Sequence, residues 1–135
     1  MILLIRHASA GDRAAWEDDD RLRPLDKRGR KQAERLVDLL ARHRLARIVS
    51  SPYLRCVQTV EPLAKTRGLA VDSDEALGEA LQETAGRTLV ASLVGSDVAV
   101  CCHGGLAEAL VGRSQKKAEA FVLDPALNVV ERIRP

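Results

Sequence analysis

Aromatic side chains are nearly absent: Trp16, Tyr53 and Phe121 are the only ones in 135 residues, 2% of the chain. A binder that stacks bases or sugars needs several such platforms. That class is excluded, and the core has to be aliphatic. Charge of one sign is lacking too, since 21 Lys and Arg stand against 19 Asp and Glu for a net charge of +2. So small a balance calls for no nucleic-acid duplex as partner. Apolar runs are short: Met1 to Ile5 stops at Arg6, too soon for a signal-peptide core or a membrane span. The cysteines are odd in number, Cys56, Cys101 and Cys102, two of them adjacent, and adjacent cysteines are poor disulfide partners for each other. The expectation is a protein of the reducing cytoplasm with no membrane partner. Neither G-x-G-x-x-G after a strand nor G-x-x-x-x-G-K-[ST] occurs, so no nucleotide cofactor is indicated.

What is present fits an ordinary globular chain, with 46% hydrophobic and 30% charged residues. At roughly 150 residues per domain the chain makes one domain, 1–135. Ile2 to Ile5 reads as a central strand covered on both faces. A long polar loop follows, 8–25, and loops of this length are often functional. Lys27 to Arg44 carries Ala33, Leu36, Val37, Leu39 and Leu40 at helical spacing. Arg47 to Ser50 reads as a strand, with Ser51 as N-cap and Pro52 opening a helix that runs to about Thr66. Gly68 ends that helix before a short strand at Leu69 to Val71. The stretch 76–86 is ambiguous. Arg87 to Val94 reads as a helix, Val98 to Cys102 as a second buried strand, and Leu106 to Val111 as a short helix. Ala120 to Leu123 and Val129 to Ile133 can pair as a hairpin around Asp124-Pro125. Strands alternating with helices predict an α/β fold, a three-layer α/β/α sandwich on a mostly parallel sheet. Ligands of such sheets bind beyond the carboxyl ends of the strands.

At those ends stand Arg6-His7, then Ser50-Ser51-Pro52 with Arg55 close behind, then His103-Gly104-Gly105. Two guanidiniums offer forked donors for a tetrahedral oxyanion, and a helix start after Ser51-Pro52 would add backbone N–H groups. A histidine among such cations has its protonated form disfavoured and presents a neutral, nucleophilic nitrogen. The chemistry this implies is phosphoryl transfer to imidazole.

Leu4-Ile5-Arg6-His7-Ala8, then Ser50-Ser51-Pro52-Tyr53-Leu54-Arg55-Cys56-Val57-Gln58-Thr59, then Cys102-His103-Gly104 resemble, in this order, the phosphoglycerate-mutase-like histidine phosphatase superfamily. Arg23-Pro24-Leu25, followed by Gly29 and Gln32-Ala33, is similar to its small SixA-like branch of phosphohistidine phosphatases. The resemblance runs from about residue 2 to about residue 130. It implies that His7 is the nucleophile, that Arg6, Arg55 and His103 hold the phosphoryl oxygens, and that no metal and no cofactor is required. Gly104, Arg23 and Ser9 join the expected substrate-binding set. The acid that protonates the leaving group matches Glu79 best, with Glu75 and Glu83 as competitors. Ala8 departs from the glycine expected after the nucleophile. No long capping insertion is present, so an open site is expected, suited to phosphohistidine on a protein. The alternative is a small phosphomonoester or nucleotide, because Asp20 to Leu25 and Pro52 to Thr59 also resemble histidine phosphatase domains fused to nudix hydrolases. A monomer is expected. A phosphate- or partner-binding module with little turnover is the reading from another class.

Cys101-Cys102-His103 also invites a metal reading with Cys56 or His7. Neighbouring strand residues point to opposite faces, however, and cannot chelate together, so packing cysteines are expected. The basic segment Arg21, Arg23, Lys27, Arg28, Arg30, Lys31 and Arg35 reads as a solvated face first and as a docking surface for an acidic partner second. His43 reads as exposed, and Trp16 as a pin for its loop.

Overall fold

A computed structural model describes residues 1–135. Six strands form one sheet: β1 Ile2–Arg6, β2 Arg47–Ser50, β3 Val71–Ser73, β4 Val98–Cys102, β5 Ala120–Leu123 and β6 Val129–Ile133, in the order β3-β2-β4-β1-β5-β6. The first four run parallel, and the β5–β6 hairpin is antiparallel at one edge. The carboxyl ends of β1, β2 and β4 therefore lie on one rim.

Alternation along each strand feeds two cores. Leu3, Ile5, Ile48, Ala99 and Cys101 point to the face covered by α1 Lys27–Leu39 and α2 Leu54–Arg67. Ile2, Leu4, Val49, Val100 and Cys102 point to the face covered by α3 Arg87–Ser92 and α4 Leu106–Val111. Central strands buried on both faces explain why β1 and β4 read as continuous apolar runs. The same alternation puts Cys101 and Cys102 in opposite layers, and burial pushes both thiols above their ordinary range.

Element boundaries differ from the sequence expectation in three places. The first helix stops at Leu39 rather than Arg44, because the Arg67 guanidinium of α2 donates to the carbonyls of Leu40 and His43, 2.8 Å each. The second begins at Leu54, with Tyr53 as its cap and no side-chain capping bond. Ser51 is not an N-cap. Gly68, at φ 66°, closes α2 in a Schellman motif in which the Leu69 N–H reaches the Ala64 carbonyl at 3.0 Å. Leu69 is thereby used up and β3 starts at Val71. His43 is not exposed: it is half-buried, with Nε2 3.5 Å from Glu131. The ambiguous stretch holds a 3₁₀ turn, Glu75–Leu77, and a π-helical turn, Gln82–Gly86. No helix is long and apolar enough to cross a membrane.

Candidate active site

At the rim, β1 ends in Arg6-His7 and β4 in His103-Gly104-Gly105, tied together by the His7 N–H donating to the Cys102 carbonyl at 2.9 Å. The imidazoles of His7 and His103 meet edge to face, 5.6 Å between centroids. Between them and α4 opens a cleft of about 300 Å³ with no hydrophobic side chain in its wall. Arg6, His7, Glu79, His103 and Gly104 line it, together with Arg13, Gly105, Glu108, Ser114 and Gln115.

His7 is buried, and its Nδ1 lies 2.8 Å from the Ala8 carbonyl oxygen. A carbonyl accepts only, so Nδ1 carries the proton and Nε2 keeps its lone pair. Burial first, then the charges of His103, Arg55 and Arg6, hold the ring neutral, with its pKa lowered to about 3 against the opposing pull of the Ala8 bond. His103 is set by two partners. Its Nε2 lies 2.8 Å from Ser51 Oγ, and its backbone N–H donates to Gln82 Oε1 at 3.0 Å. Gln82 also donates from Nε2 to the Gly104 carbonyl at 2.9 Å. The π-helical turn thus clamps the end of β4, a placement such turns often have at functional sites.

Gly104 has a local reason to be glycine. A Cβ there would meet the Arg6 guanidinium carbon at 2.9 Å. Arg6 is held by donation from Nη1 to the Gln115 carbonyl at 2.7 Å, while its Nε is buried without a partner.

Arg55 is fully buried and does not line the cleft itself. Its Nη2 donates to Asp20 Oδ2 at 3.0 Å and to Glu79 Oε2 at 2.8 Å. Its Nε also lacks a partner. Glu79 therefore stands between Arg55 and the cleft, with Arg13 Nη2 on its other oxygen at 2.9 Å and His103 Nδ1 at 3.9 Å. Asp20 gathers Arg23, Arg55 and Arg13 within 3.6 Å. Burial opposes its ionisation, but the bonds from Arg23 and Arg55 hold its pKa below the ordinary range.

Of the three candidate glutamates only Glu79 reaches the cleft. Glu75 is exposed and paired with Arg21, whose guanidinium lies 5.0 Å from the Tyr53 ring centroid. Two other expected residues lie elsewhere. Arg23 is buried behind Asp20 and bonds the Gly11 carbonyl, so it acts at one remove. Ser9 turns away, donating to Asp26 Oδ2 at 2.8 Å, and lines a separate cleft. The first turn of α2 lines neither, so the expected helix-start anion site is not part of this pocket. Trp16 donates to the Asp19 carbonyl at 2.9 Å and staples its own loop.

Sequence reasoning missed Arg13, Glu108, Ser114 and Gln115, and the clamp made by Gln82. Nothing in their spacing marks them: Ser114 and Gln115 lie in irregular chain, and Arg13, Gln82 and Glu108 lie in elements too short to carry a period. Asp20 was within reach, as an acid three residues before Arg23.

The fold has counterparts among solved structures. A crystal structure of SixA from Agrobacterium tumefaciens superposes with a TM-score of 0.84 at 24% identity, over 99% of this chain and 97% of that one. The protein histidine phosphatase SixA complexed with tungstate gives 0.79 at 20% identity, over 98% and 96%. Likenesses at such identity establish the fold alone. Among curated relatives, the 8-oxo-(d)GTP phosphatase of Mycolicibacterium smegmatis is 35% identical over 115 residues, 82% of this chain but 36% of its own length. The chain thus spans about a third of that relative. The sequence model of the histidine phosphatase superfamily (branch 1) matches residues 2–89, and with that match the chain belongs to this superfamily.

Proposed function

We propose that residues 1–135 form one phosphatase domain that passes a phosphoryl group to Nε2 of His7 and then to water. Protein phosphohistidine is the preferred substrate. The carrying observation is the state of His7: neutral, its Nδ1 proton committed to the Ala8 carbonyl, its Nε2 left free at a cleft with no hydrophobic side chain in its wall.

Phosphoryl transfer depends on in-line placement and on charge set against the equatorial oxygens. Arg6 and His103 supply that charge from the ends of β1 and β4. The Nε2 lone pair attacks phosphorus as the bond to the leaving nitrogen or oxygen breaks, and Glu79 gives that atom a proton. Once Glu79 has lost its proton it takes one from a water, which attacks phosphorus as the P–Nε2 bond breaks; inorganic phosphate leaves and His7 is restored. Arg55, held by Asp20 on its other side, acts through Glu79, which it positions at the cleft.

Preference for a phosphorylated side chain rests on the open cleft, which has no apolar wall to enclose a small ester. A nitrogen leaving group also needs less acid help than an alkoxide. The likeness in fold to SixA, a protein histidine phosphatase, supports this reading. A second reading, a nucleoside triphosphate substrate, is favoured by the 35% identity to the 8-oxo-(d)GTP phosphatase.

The test is phosphate release from a phosphohistidine-carrying protein, from free phosphohistidine and from nucleotides, using wild type and His7→Ala. Release by wild type and none by His7→Ala is expected, with an acid-labile phosphoenzyme trapped only in wild type. Equal rates in the two chains would remove His7 as nucleophile.

A further inference from the structure

A second cleft, of about 370 Å³, opens on the other side of the segment that carries the nucleophile. Ser9, Arg28, Gln32, Lys116, Lys117, Arg134 and Pro135 line it, none of them hydrophobic and none aromatic. Its walls adjoin those of the first: Ser9 follows His7 by two residues, and Lys116 follows Gln115 by one. At no more than about 3.6 Å per residue, the Cα atoms of His7 and Ser9 lie within about 7 Å of each other.

The charges there are out of balance. Arg28, Lys116 and Lys117 make no ion pair, and Pro135, at the lip, makes none with them. Arg134 is held by the buried carboxylate of Glu119 at 2.7 Å, alongside Arg132 at 3.3 Å. Asp26, the other acid nearby, has its oxygens taken by Ser9 Oγ and the Gly29 N–H, each at 2.8 Å. Asp26 acts on Lys117 and Arg28 through space without forming an ion pair, so three cations against that one carboxylate leave the cleft with an excess of positive charge.

Resting on the proposed phosphoprotein substrate, we infer that this cleft docks the acidic side chains that flank the phosphohistidine of that protein. Two arguments favour a protein occupant over a nucleotide. A protein–protein contact covers about 800 Å² on each partner, wide enough for a protein with its phosphohistidine at His7 to reach a cleft whose wall begins two residues further along the chain. Covering unpaired lysines and an arginine costs desolvation unless the partner brings carboxylates. A nucleobase, by contrast, finds no aromatic side chain to stack on there.

The test compares wild type with Arg28→Glu/Lys117→Glu on a phosphohistidine-carrying protein with acidic residues beside its histidine, on a form with those residues replaced by serine, and on free phosphohistidine. For the acidic phosphoprotein KM should rise about tenfold with kcat unchanged, and the fall of kcat/KM with added salt should flatten. Both the serine form and free phosphohistidine should respond to the double substitution by less than about twofold. A phosphoprotein KM that ignores the substitution overturns the site. So does an equal change for free phosphohistidine, which would mean only a shifted field at His7, or a rise confined to a nucleoside triphosphate. Binding of the phosphoprotein to His7→Ala, with and without the charge reversals, separates the two proposals. Charge-dependent binding without turnover in wild type removes the proposed function alone, and binding indifferent to the reversals removes the docking site.

Discussion

Glu79 answers to two guanidiniums and an imidazole at once: Arg55 at 2.8 Å, Arg13 at 2.9 Å and the ring of His103 at 3.9 Å. A carboxylate so placed can hold guanidiniums in the resting site and still exchange a proton at the mouth of the cleft. If it is the acid, its worth depends on the leaving group. Glu79→Gln should lower kcat/KM for an alkyl phosphomonoester by about a hundredfold or more, the usual scale of general acid help, and for phosphohistidine by less than about tenfold. Steady-state assays on the two substrates check this, and equal losses would make Glu79 a positioning residue for Arg55. The motif around Glu79 in the sequence left three glutamates open, because spacing along a loop does not say which carboxylate reaches a pocket. For the same reason the sequence does not show that Arg23 and Ser9 stand back from the cleft. They lie near the nucleophile in the chain, but their side chains satisfy Asp20 and Asp26 instead.

At the scale of elements, the loop after β1 and the start of α1 are locked by backbone contact. Gly29 sits where a Cβ would overlap the Ser9 carbonyl oxygen, while Asp26 caps the helix through the Gly29 N–H at 2.8 Å. Gly29→Ala must push α1 off the nucleophile loop. Overpacking against backbone costs about 1–3 kcal/mol, so the urea midpoint should fall at an unchanged m-value, and phosphatase activity should fall with it as His7 is displaced. An unaltered midpoint would mean that the loop yields freely. The existence of the main helices and strands was legible in the sequence, since buried runs and amphipathic spacing are properties of the chain. Their ends were not. Where α1 stops depends on Arg67 arriving from α2, and where α2 starts depends on Ser51 being drawn to His103.

Across the whole molecule, burying a neutral histidine at the centre of the rim couples stability to pH. The unfolded chain protonates His7 near its ordinary value of 6.5, while the folded chain resists until about 3. Between those values the unfolded state binds more protons, so stability falls as pH falls, by at most about 1.4 kcal/mol per pH unit for one such group. Carboxylates held below their range, such as Asp20 and Glu119, add the same sign only at lower pH. From pH 6.5 to 5, therefore, wild type should lose more stability than His7→Ala in urea unfolding. Parallel curves would show that His7 titrates normally.

By itself the sequence determined the α/β class, the buried strands and the Arg6-His7, Arg55 and His103 motifs, because alternation and local motifs are written in consecutive residues. Only the tertiary structure decided that β4 lies beside β1, that Gln82 clamps His103, that Glu79 stands between Arg55 and the cleft, and that Arg28 meets Lys116 and Lys117 at a second one. Those contacts join residues far apart in the chain. Packing brings them together, and no local pattern records it.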